Sequence, residues 1–353
     1  MSRRDDVWEL IHLINRKMET AAASGDLHTV LTSDDLPEVR RLDAILVEGD
    51  PDVDISMTAV AQHLLGRLRW HRSLLAPADQ GRADHDAALA WFELPFILGL
   101  DDIPPPVLPA LAERVVPVAA SFQQGASATK SPAEIESALA LSRRIVTHLG
   151  PDHPHRPAMT ANLGLMLLLR FENGGSPEDL DQAVEVLEAA LTHAVDQREA
   201  VLSTLVQALR HRLAATADPA DLDRVIACCE AGIAVASADD EAAVKWLSGL
   251  GDSLLNRFER TGAGADLDRA IDLMRTVDAG RTRLLDPVAV KYDLAYALSR
   301  RFDRTRSTAD LAEAIDVAGA AIEAADGDHA FRAPTQSLLD AMLRADAALR
   351  AGS

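Results

Sequence analysis

Histidines and their acidic neighbours are the side chains of this sequence best suited to catalysis or metal binding. Two groups could act as metal ligands or as a proton relay: His71 with His85 and Asp86, and His153 with His155. Neither group has a cysteine or glutamate at the spacing that metal sites use. We therefore expect turn and surface roles for these residues, and predict no metal site and no cofactor.

Two adjacent pairs give further candidates for chemistry. Asp101 and Asp102 precede a proline run, and a helix-ending turn is favoured there over a cation site. Cys228 and Cys229 lie in one predicted helix, where neighbouring side chains point about 100° apart, so no disulfide is expected between them. The sequence has no nucleophile-elbow, Walker or dinucleotide-binding motif. We expect a non-catalytic protein.

Composition indicates the elements that must carry these residues. Hydrophobic residues make up 48% of the sequence and aromatic residues 4%, and the apolar content is mostly alanine and leucine, which favour helices. The formal net charge of −20 disfavours nucleic acid as a partner. The sequence has no secretory signal and no apolar run of the roughly 18 residues that span a bilayer. We expect a cytoplasmic, all-α protein.

An internal repeat organises the second half of the sequence. An arginine followed by Phe or Leu recurs, and a Leu preceded by Asp follows it. From the Phe or Leu to that Asp is eight residues in each unit, and the units are offset by 42, 45 and 44 residues. The four instances begin at Arg170, Arg212, Arg257 and Arg301. Such a period predicts paired helices that stack on their neighbours.

The bridge between the two helices of a unit carries a helix-start signal. Ser176-Pro177-Glu178-Asp179 places a capping hydroxyl, a proline at the first helical position and an acid three residues after the cap. Asp218-Pro219 and Ser131-Pro132 repeat the cap and the proline, and Ser307 repeats the cap. Each repeat unit is therefore predicted to consist of a helix A, a turn and a helix B. The repeated arginines are predicted to pair with Asp181, Asp223 and Asp268 or with helix-end carbonyls.

Leucine columns at helical spacing complete the fold prediction. Helix A carries one column at Leu163, Leu205, Leu250, Leu294 and Leu338, and a second column four residues later. We predict a tetratricopeptide-like solenoid, a right-handed superhelix of antiparallel helix pairs. Repeats of 42–45 residues would fill 151–353 and end in a capping helix at about 334–350, and a less regular helical region with degenerate repeats would fill 1–150. In that region helices are predicted at 3–24, 36–47, 54–76, 82–99, 107–124 and 132–149.

Three repeat segments resemble a known family. Asn256–Ile271, Leu169–Val184 and Arg300–Ile315 resemble the tetratricopeptide-like arrays of actinobacterial proteins that often carry a caspase-like CHAT protease domain. Leu64–Leu75 looks like the region ahead of those arrays. No protease domain is expected here, since the sequence ends with the repeats, and Cys229 falls in a predicted core column. The resemblance implies an interaction module.

One stripe of helix A varies from unit to unit while the framework repeats. It lies beside the leucine core, and in a paired-helix solenoid helix A faces the binding groove. The predicted partner-binding residues are Asn162, Gln207, His211, Trp246, Asp252, Asn256, Asp293, Tyr296, Arg300, Asp340 and Arg344. Trp246, Asp252, Asn256, Tyr296 and Arg300 are expected at the groove centre, because Trp, Tyr and Arg are typical interface anchors.

The sequence therefore predicts a scaffold or adaptor that binds a protein or peptide, with a separately encoded effector as one such partner. Two alternatives remain open at this point. One is an enzyme or small-molecule sensor with a pocket near Trp70, His71, His85, Asp86 and Trp91. The other is a structural unit that associates with itself. The sequence leaves the oligomeric state undetermined.

Overall fold

A computed structural model describes residues 3–24, 36–49, 51–192, 197–236, 241–279 and 285–351. Within those ranges the regular structure consists of sixteen α-helices and one 3₁₀ turn, with no strand. The chain divides into two compact units, Met1–Gly175 and Ser176–Ser353. The predicted all-α class is confirmed.

The described part of the first unit contains eight α-helices. They are α1 (Arg3–Ser24), α2 (Pro37–Glu48), α3 (Ile55–Leu75), α4 (Ala78–Leu98), α5 (Leu108–Arg114), α6 (Val116–Thr129), α7 (Pro132–His148) and α8 (Arg156–Glu172), with the 3₁₀ turn at Pro105–Val107. The helix predicted across 107–124 is wrong as one element. It is divided into α5 and α6 just before Pro117, a residue that lacks the backbone N–H a continuous helix would need there.

The helices α3 and α4 pack closely because of one glycine. A methyl carbon placed on Gly66 would lie 2.8 Å from the Phe92 ring, and Phe92 is fully buried. Asp84 of α4 is also buried, and it pairs with Arg69 at 2.8 Å and with Arg72 at 3.3 Å. A buried carboxylate needs such partners to stay charged, so this pair of helices is held by an ion cluster beside its apolar contact.

The second unit contains the regular helix pairs. They are α9 (Pro177–Leu191), α10 (Arg198–Thr216), α11 (Pro219–Val235), α12 (Glu241–Thr261), α13 (Gly264–Ala279), α14 (Pro287–Thr305), α15 (Thr308–Ala324) and α16 (Arg332–Ala351). Helices α10, α12, α14 and α16 occupy the predicted helix A positions, and α9, α11, α13 and α15 the helix B positions. Consecutive helices pack on one another. The chain is a tetratricopeptide-like helical-repeat solenoid.

The leucine columns form the core of this unit, as predicted. Leu205, Leu250 and Leu294 are 1–2% exposed. The column four residues later is also buried, down to Met342 in the last helix at 4%. Burying an aliphatic side chain of this size contributes roughly 1.5–3 kcal/mol, and each column is completed by the next repeat. The apolar pattern therefore stabilises the array and not a single pair.

The turns between helix A and helix B share one backbone device. Helix α10 is followed by Ala217, α12 by Gly262 and α14 by Arg306, all with φ between 57° and 73°. In each turn a threonine hydroxyl one residue earlier accepts from the N–H one residue later, as Thr216 does from Asp218 at 3.2 Å. These left-handed residues end the helix and start the next.

Two helix caps of the second unit are as predicted and one cap of the first unit is not. Asp218 accepts from the Ala220 N–H at 2.9 Å, and Ser307 accepts from the Asp310 N–H at 3.2 Å. The capping hydroxyl predicted at Ser131 is wrong, since that side chain makes no cap bond. The Ser131 N–H instead donates to the Thr129 hydroxyl at 3.1 Å, which is the device of the regular turns.

The repeated arginines join neighbouring repeats, as predicted. Arg212 reaches Asp181 of the preceding helix B at 3.0 Å, and Arg301 reaches Asp268 at 3.2 Å. Each also forms two bonds to the first acid of its own helix B, which for Arg212 is Asp221. One guanidinium therefore connects two successive helices B to one helix A.

In the described part of the chain, no helix has both the length and the apolar character needed to cross a membrane.

Candidate binding cleft on the second unit

A cleft of about 440 Å³ opens on the helix A face of the second unit. It lies between α12 and α14, the helices A of two successive repeats, which contact each other directly. The lining residues are Asp252, Leu255, Asn256, Glu259, Arg260, Asp293 and Tyr296. Four of the predicted partner-binding residues therefore meet in one cleft: Asp252, Asn256, Asp293 and Tyr296.

Small residues behind the stripe allow the helices to approach. Ser253 and Ala297 occupy the same repeat position and are 5% and 0% exposed. The Ser253 hydroxyl donates to the Gly249 carbonyl at 2.6 Å, so its polar group is satisfied within α12. The face of each helix that carries these small residues packs against the core. The variable stripe beside it therefore lines the cleft.

Two carboxylates in the cleft have unusual electrostatics. Asp293 is half-buried, and burial together with the nearby charge of Asp252 raises the pKa of Asp293 to about 7. Burial also raises the pKa of Asp252, and the Arg210 charge acts in the opposite direction. Solvent reaches Asp252 from the open side, but surrounding protein atoms displace much of its bulk water, which disfavours the charged form.

Neither carboxylate has a partner within the described residues. No hydrogen bond or ion pair joins Asp252 or Asp293 to any side chain or backbone group described here. Glu259, in the same cleft, differs because it accepts two bonds from the Arg300 guanidinium, at 2.8 Å and 3.3 Å. The cleft therefore contains one acid that is neutralised by an ion pair and two that form none, with only the Arg210 charge acting on Asp252.

An aromatic pair borders the acids. Tyr296 is half-buried and its hydroxyl lies 3.5 Å from Glu259, and burial with the Glu259 charge raises its pKa. Tyr292 stacks on Tyr296 with ring centroids 6.3 Å apart, and its ring also contacts that of Phe331, with centroids 5.4 Å apart. The Tyr296 ring is thus held in place by a row of aromatic contacts.

The structure places Trp246 away from the cleft surface. The side chain is only 8% exposed, and its ring lies so close to Gly232 that a methyl carbon there would be 2.3 Å from Trp246 Cδ2. The expected groove-centre role for Trp246 is therefore wrong. Its large ring fills the space that the glycine leaves between α11 and α12. Burying this apolar ring is more favourable than exposing it in the groove.

The remaining predicted binding residues lie outside the cleft lining. Asn162 is half-buried on α8 of the first unit, and Gln207 is exposed with His211 half-buried on α10. On α16, Asp340 accepts from the Gln336 amide at 2.8 Å, and Arg344 is exposed. Arg300 is not a lining residue, but it positions Glu259, which is one.

Leu255, Glu259 and Arg260 line the cleft and were missed by the sequence reasoning. Glu259 lies three residues after Asn256 and seven after Asp252, so one further turn of the variable stripe would have included it. Arg260 also donates to the Ala217 carbonyl at 3.0 Å. It therefore caps the end of the preceding helix A, where cations suit the helix dipole.

The residues of the alternative pocket in the first unit take part in packing. Trp70 contacts the His85 ring at 5.6 Å and packs on one apolar cluster, and Trp91 packs on another. His71 is half-buried, and burial lowers its pKa. Asp86 is exposed. These side chains are divided between two clusters and do not converge on one cavity.

His153 and Cys229 also have local structural settings. The His153 Nδ1 accepts from the His155 N–H at 3.2 Å in the turn before α8, which confirms the expected turn role. Cys228 and Cys229 are free and buried, and burial raises their pKa values to about 11 and about 12. Within the described ranges, no group of three or more potential ligands is arranged to hold a metal ion.

Comparisons with known proteins give matches among solved structures only. No family model and no curated protein matches the sequence. The chain is similar to the TPR-like repeats of a putative kinesin light chain from Podosopora anserina, at 17% identity over 61% of this chain and 97% of that one, with a TM-score of 0.35. It is also similar to the TPR domain of P58(IPK), at 14% identity over 96% and 98% of the two chains, with a TM-score of 0.26.

A third similar structure is a circular tandem repeat protein, at 16% identity over 99% of this chain and 86% of that one, with a TM-score of 0.25. Identities and TM-scores this low carry no information about what this chain binds. Its assignment as a tetratricopeptide-like solenoid rests on its own helix pairs.

Proposed function

We propose that this chain is a non-catalytic scaffold that holds a protein or peptide segment against the helix A face of its second unit. The observation that carries the proposal is the cleft between α12 and α14, because four of its seven lining residues come from the stripe that varies between repeats. The framework residues around it recur in every unit. A face that varies on a constant frame is suited to recognising one partner.

The chemistry of the cleft suits a peptide. Tyr296 offers a fixed aromatic surface, Asn256 offers an amide that both donates and accepts, and Leu255 adds an apolar contact. An extended segment presents side chains and backbone groups that fit such a mixture. The cleft is open to solvent between two helices, which favours a chain segment over an enclosed small molecule.

The resemblance of the repeats to CHAT-associated arrays supports the same function. In those proteins the array often accompanies an effector domain, so a separately encoded effector is the partner class that we propose. Two free, buried cysteines are consistent with a reducing compartment, and we propose that binding takes place in the cytoplasm.

The proposal is tested by affinity capture with the purified full chain, from a lysate of the source organism, followed by mass spectrometry. A Tyr296→Ala, Arg300→Glu double variant removes the aromatic surface and places a negative charge opposite Glu259, to which Arg300 is bonded at 2.8 Å. We expect the partners captured by the unmodified chain to be lost. A folded double variant that captures the same partners would contradict the proposal.

A charge-matched control separates the cleft from the rest of the surface. Arg269 lies on α13, where it pairs with Glu230 at 2.7 Å and is half exposed. Arg269→Glu makes the same change in charge on a helix B, away from the cleft lining. Capture should be unchanged in this control, and circular dichroism melting confirms that both variants are folded.

A further inference from the structure

We infer that the segment bound in the cleft presents an arginine or lysine side chain to Asp252 and Asp293. This inference rests on the proposed function and names the chemistry of the partner at one position. The geometry that carries it is the placement of two carboxylates, one from each helix A, in a cleft where neither forms an ion pair or hydrogen bond with a described residue, although the Arg210 charge acts on Asp252.

Neighbouring acids of the second unit show how the chain treats carboxylates that it neutralises itself. Asp221, Asp266 and Asp310 are each bonded twice by a repeat arginine, and Glu259 is bonded twice by Arg300. Asp252 and Asp293 are left out of this pattern although they lie in the same array. An external cation would complete it.

Electrostatics favours a cation in this place over a neutral or acidic group. Asp252 and Asp293 repel each other and are partly desolvated, and a positive charge between them would relieve both costs. A guanidinium can form two bonds to a carboxylate, and such charge-assisted bonds are among the strongest that side chains make. An acidic or phosphorylated segment would instead be repelled by the two carboxylates.

The other lining residues suit the stem of a long basic side chain. Leu255 and Tyr296 line the same cleft, so the methylene groups of Arg or Lys can lie against them while the charged end reaches the acids. An aromatic ring near a cation adds a favourable interaction. These contacts distinguish a peptide side chain from a compact inorganic ion, which would use the carboxylates alone.

The test uses the full chain and a library of short peptides, acetylated at the N-terminus and amidated at the C-terminus so that terminal charges are absent. The flanking positions are randomised and the central residue is fixed as Arg, Lys, citrulline, Gln or Glu. Binding is measured by fluorescence polarisation at physiological salt. We expect Arg and Lys pools to bind at least about tenfold more tightly than citrulline and Gln pools, a ratio of the size that a charged bond provides.

An Asp252→Asn, Asp293→Asn double variant should remove that preference while preserving the shape of the cleft. The control is Asp316→Asn with Glu323→Gln, which removes two acids from the exposed surface of α15 and changes the net charge equally. The control should keep the preference. Equal loss in both double variants would show that the basic pools respond only to the overall negative charge, and would overturn the inference.

Two further outcomes also overturn it. One is equal binding of the Arg and citrulline pools by the unmodified chain. The other is competition by free spermidine at the affinity of the best peptide, which would indicate a site for a small amine. These failures are distinguishable from failure of the proposed function. If Tyr296→Ala with Arg300→Glu abolishes partner capture while the pools show no basic preference, the scaffold proposal stands and only the partner chemistry is wrong.

Discussion

Arg257 and Asp266 form a two-point ion pair across the turn between α12 and α13. The Nε and Nη2 atoms of Arg257 each lie 2.8 Å from an oxygen of Asp266, and Nη1 reaches Asp223 of the preceding repeat at 2.9 Å. The contact holds the turn of one repeat and joins it to the repeat before. It also raises the pKa of Arg257, chiefly through the bond to Asp266.

Replacing Arg257 with alanine should destabilise the chain by about 1–3 kcal/mol, because it removes the bidentate pair and leaves Asp266, which is 14% exposed, without its partner. Arg257→Lys should recover part of the loss, since an ammonium keeps the charge but cannot form both bonds. Urea unfolding followed by circular dichroism measures the change. The control Arg269→Ala removes an exposed ion pair and should lower the free energy of unfolding by only about 0–1 kcal/mol. If both alanine variants lose the same amount of stability, Arg257 has no special role.

The Trp246 contact predicts opposite results for two glycines in helices B. Gly232→Ala should destabilise the chain by about 1–3 kcal/mol, because the new methyl group would lie 2.3 Å from the Trp246 ring. Gly319→Ala should stabilise it by about 0.5–1 kcal/mol, since nothing lies within 4 Å of that position and alanine is the better helix former. Thermal melting of the two variants checks the prediction, which fails if both shift in the same direction.

The left-handed turn residues give a reciprocal pair of substitutions. Ala217→Gly should stabilise the chain by about 1 kcal/mol, because an alanine with φ of 57° carries strain that glycine lacks. Gly262→Ala should destabilise it by a similar amount, since the position has φ of 73° and no neighbouring atom to contact the new methyl group. Chemical unfolding measures both. The same sign for the two changes would show that backbone conformation does not decide them.

The raised pKa of Asp293 predicts an unusual pH dependence. The folded pKa is about 7, above the ordinary aspartate value of 3.8, so between these values the folded chain binds the proton more tightly than the unfolded chain. The contribution of Asp293 to stability therefore falls as pH rises from about 4 to about 7. Asp293→Asn should be more stable than the unmodified chain by about 1–2 kcal/mol near pH 8, a figure reduced for partial solvent exposure.

That difference should vanish near pH 4, where the carboxyl is protonated in the folded state. Melting temperatures of the two proteins across this range give the measurement, and Asp316→Asn, which changes an exposed acid, serves as the control. A stability difference that does not depend on pH would show that the effect of the substitution is not due to the charge of Asp293.

The repeat and its recurring contacts could be predicted from the amino-acid pattern. The eight-residue interval between the Phe or Leu and the following Asp fixes where helix A ends and helix B begins, because local caps and turns need only nearby residues. The leucine columns and the arginine partners Asp181, Asp223 and Asp268 follow from the same period. Each repeat sits against a near copy of itself, so a contact inferred for one unit applies to the next.

Which members of the variable stripe meet depends on how the helices pack. Asp252 and Asn256 of α12 share a cleft with Asp293 and Tyr296 of α14, whereas Trp246 turns inward because Gly232 leaves space for its ring. Helical spacing specifies the face of a residue on its own helix, but the depth to which its side chain is buried depends on the volume of the side chain opposite. The opposing side chain comes from another repeat, and the repeat period does not specify its size.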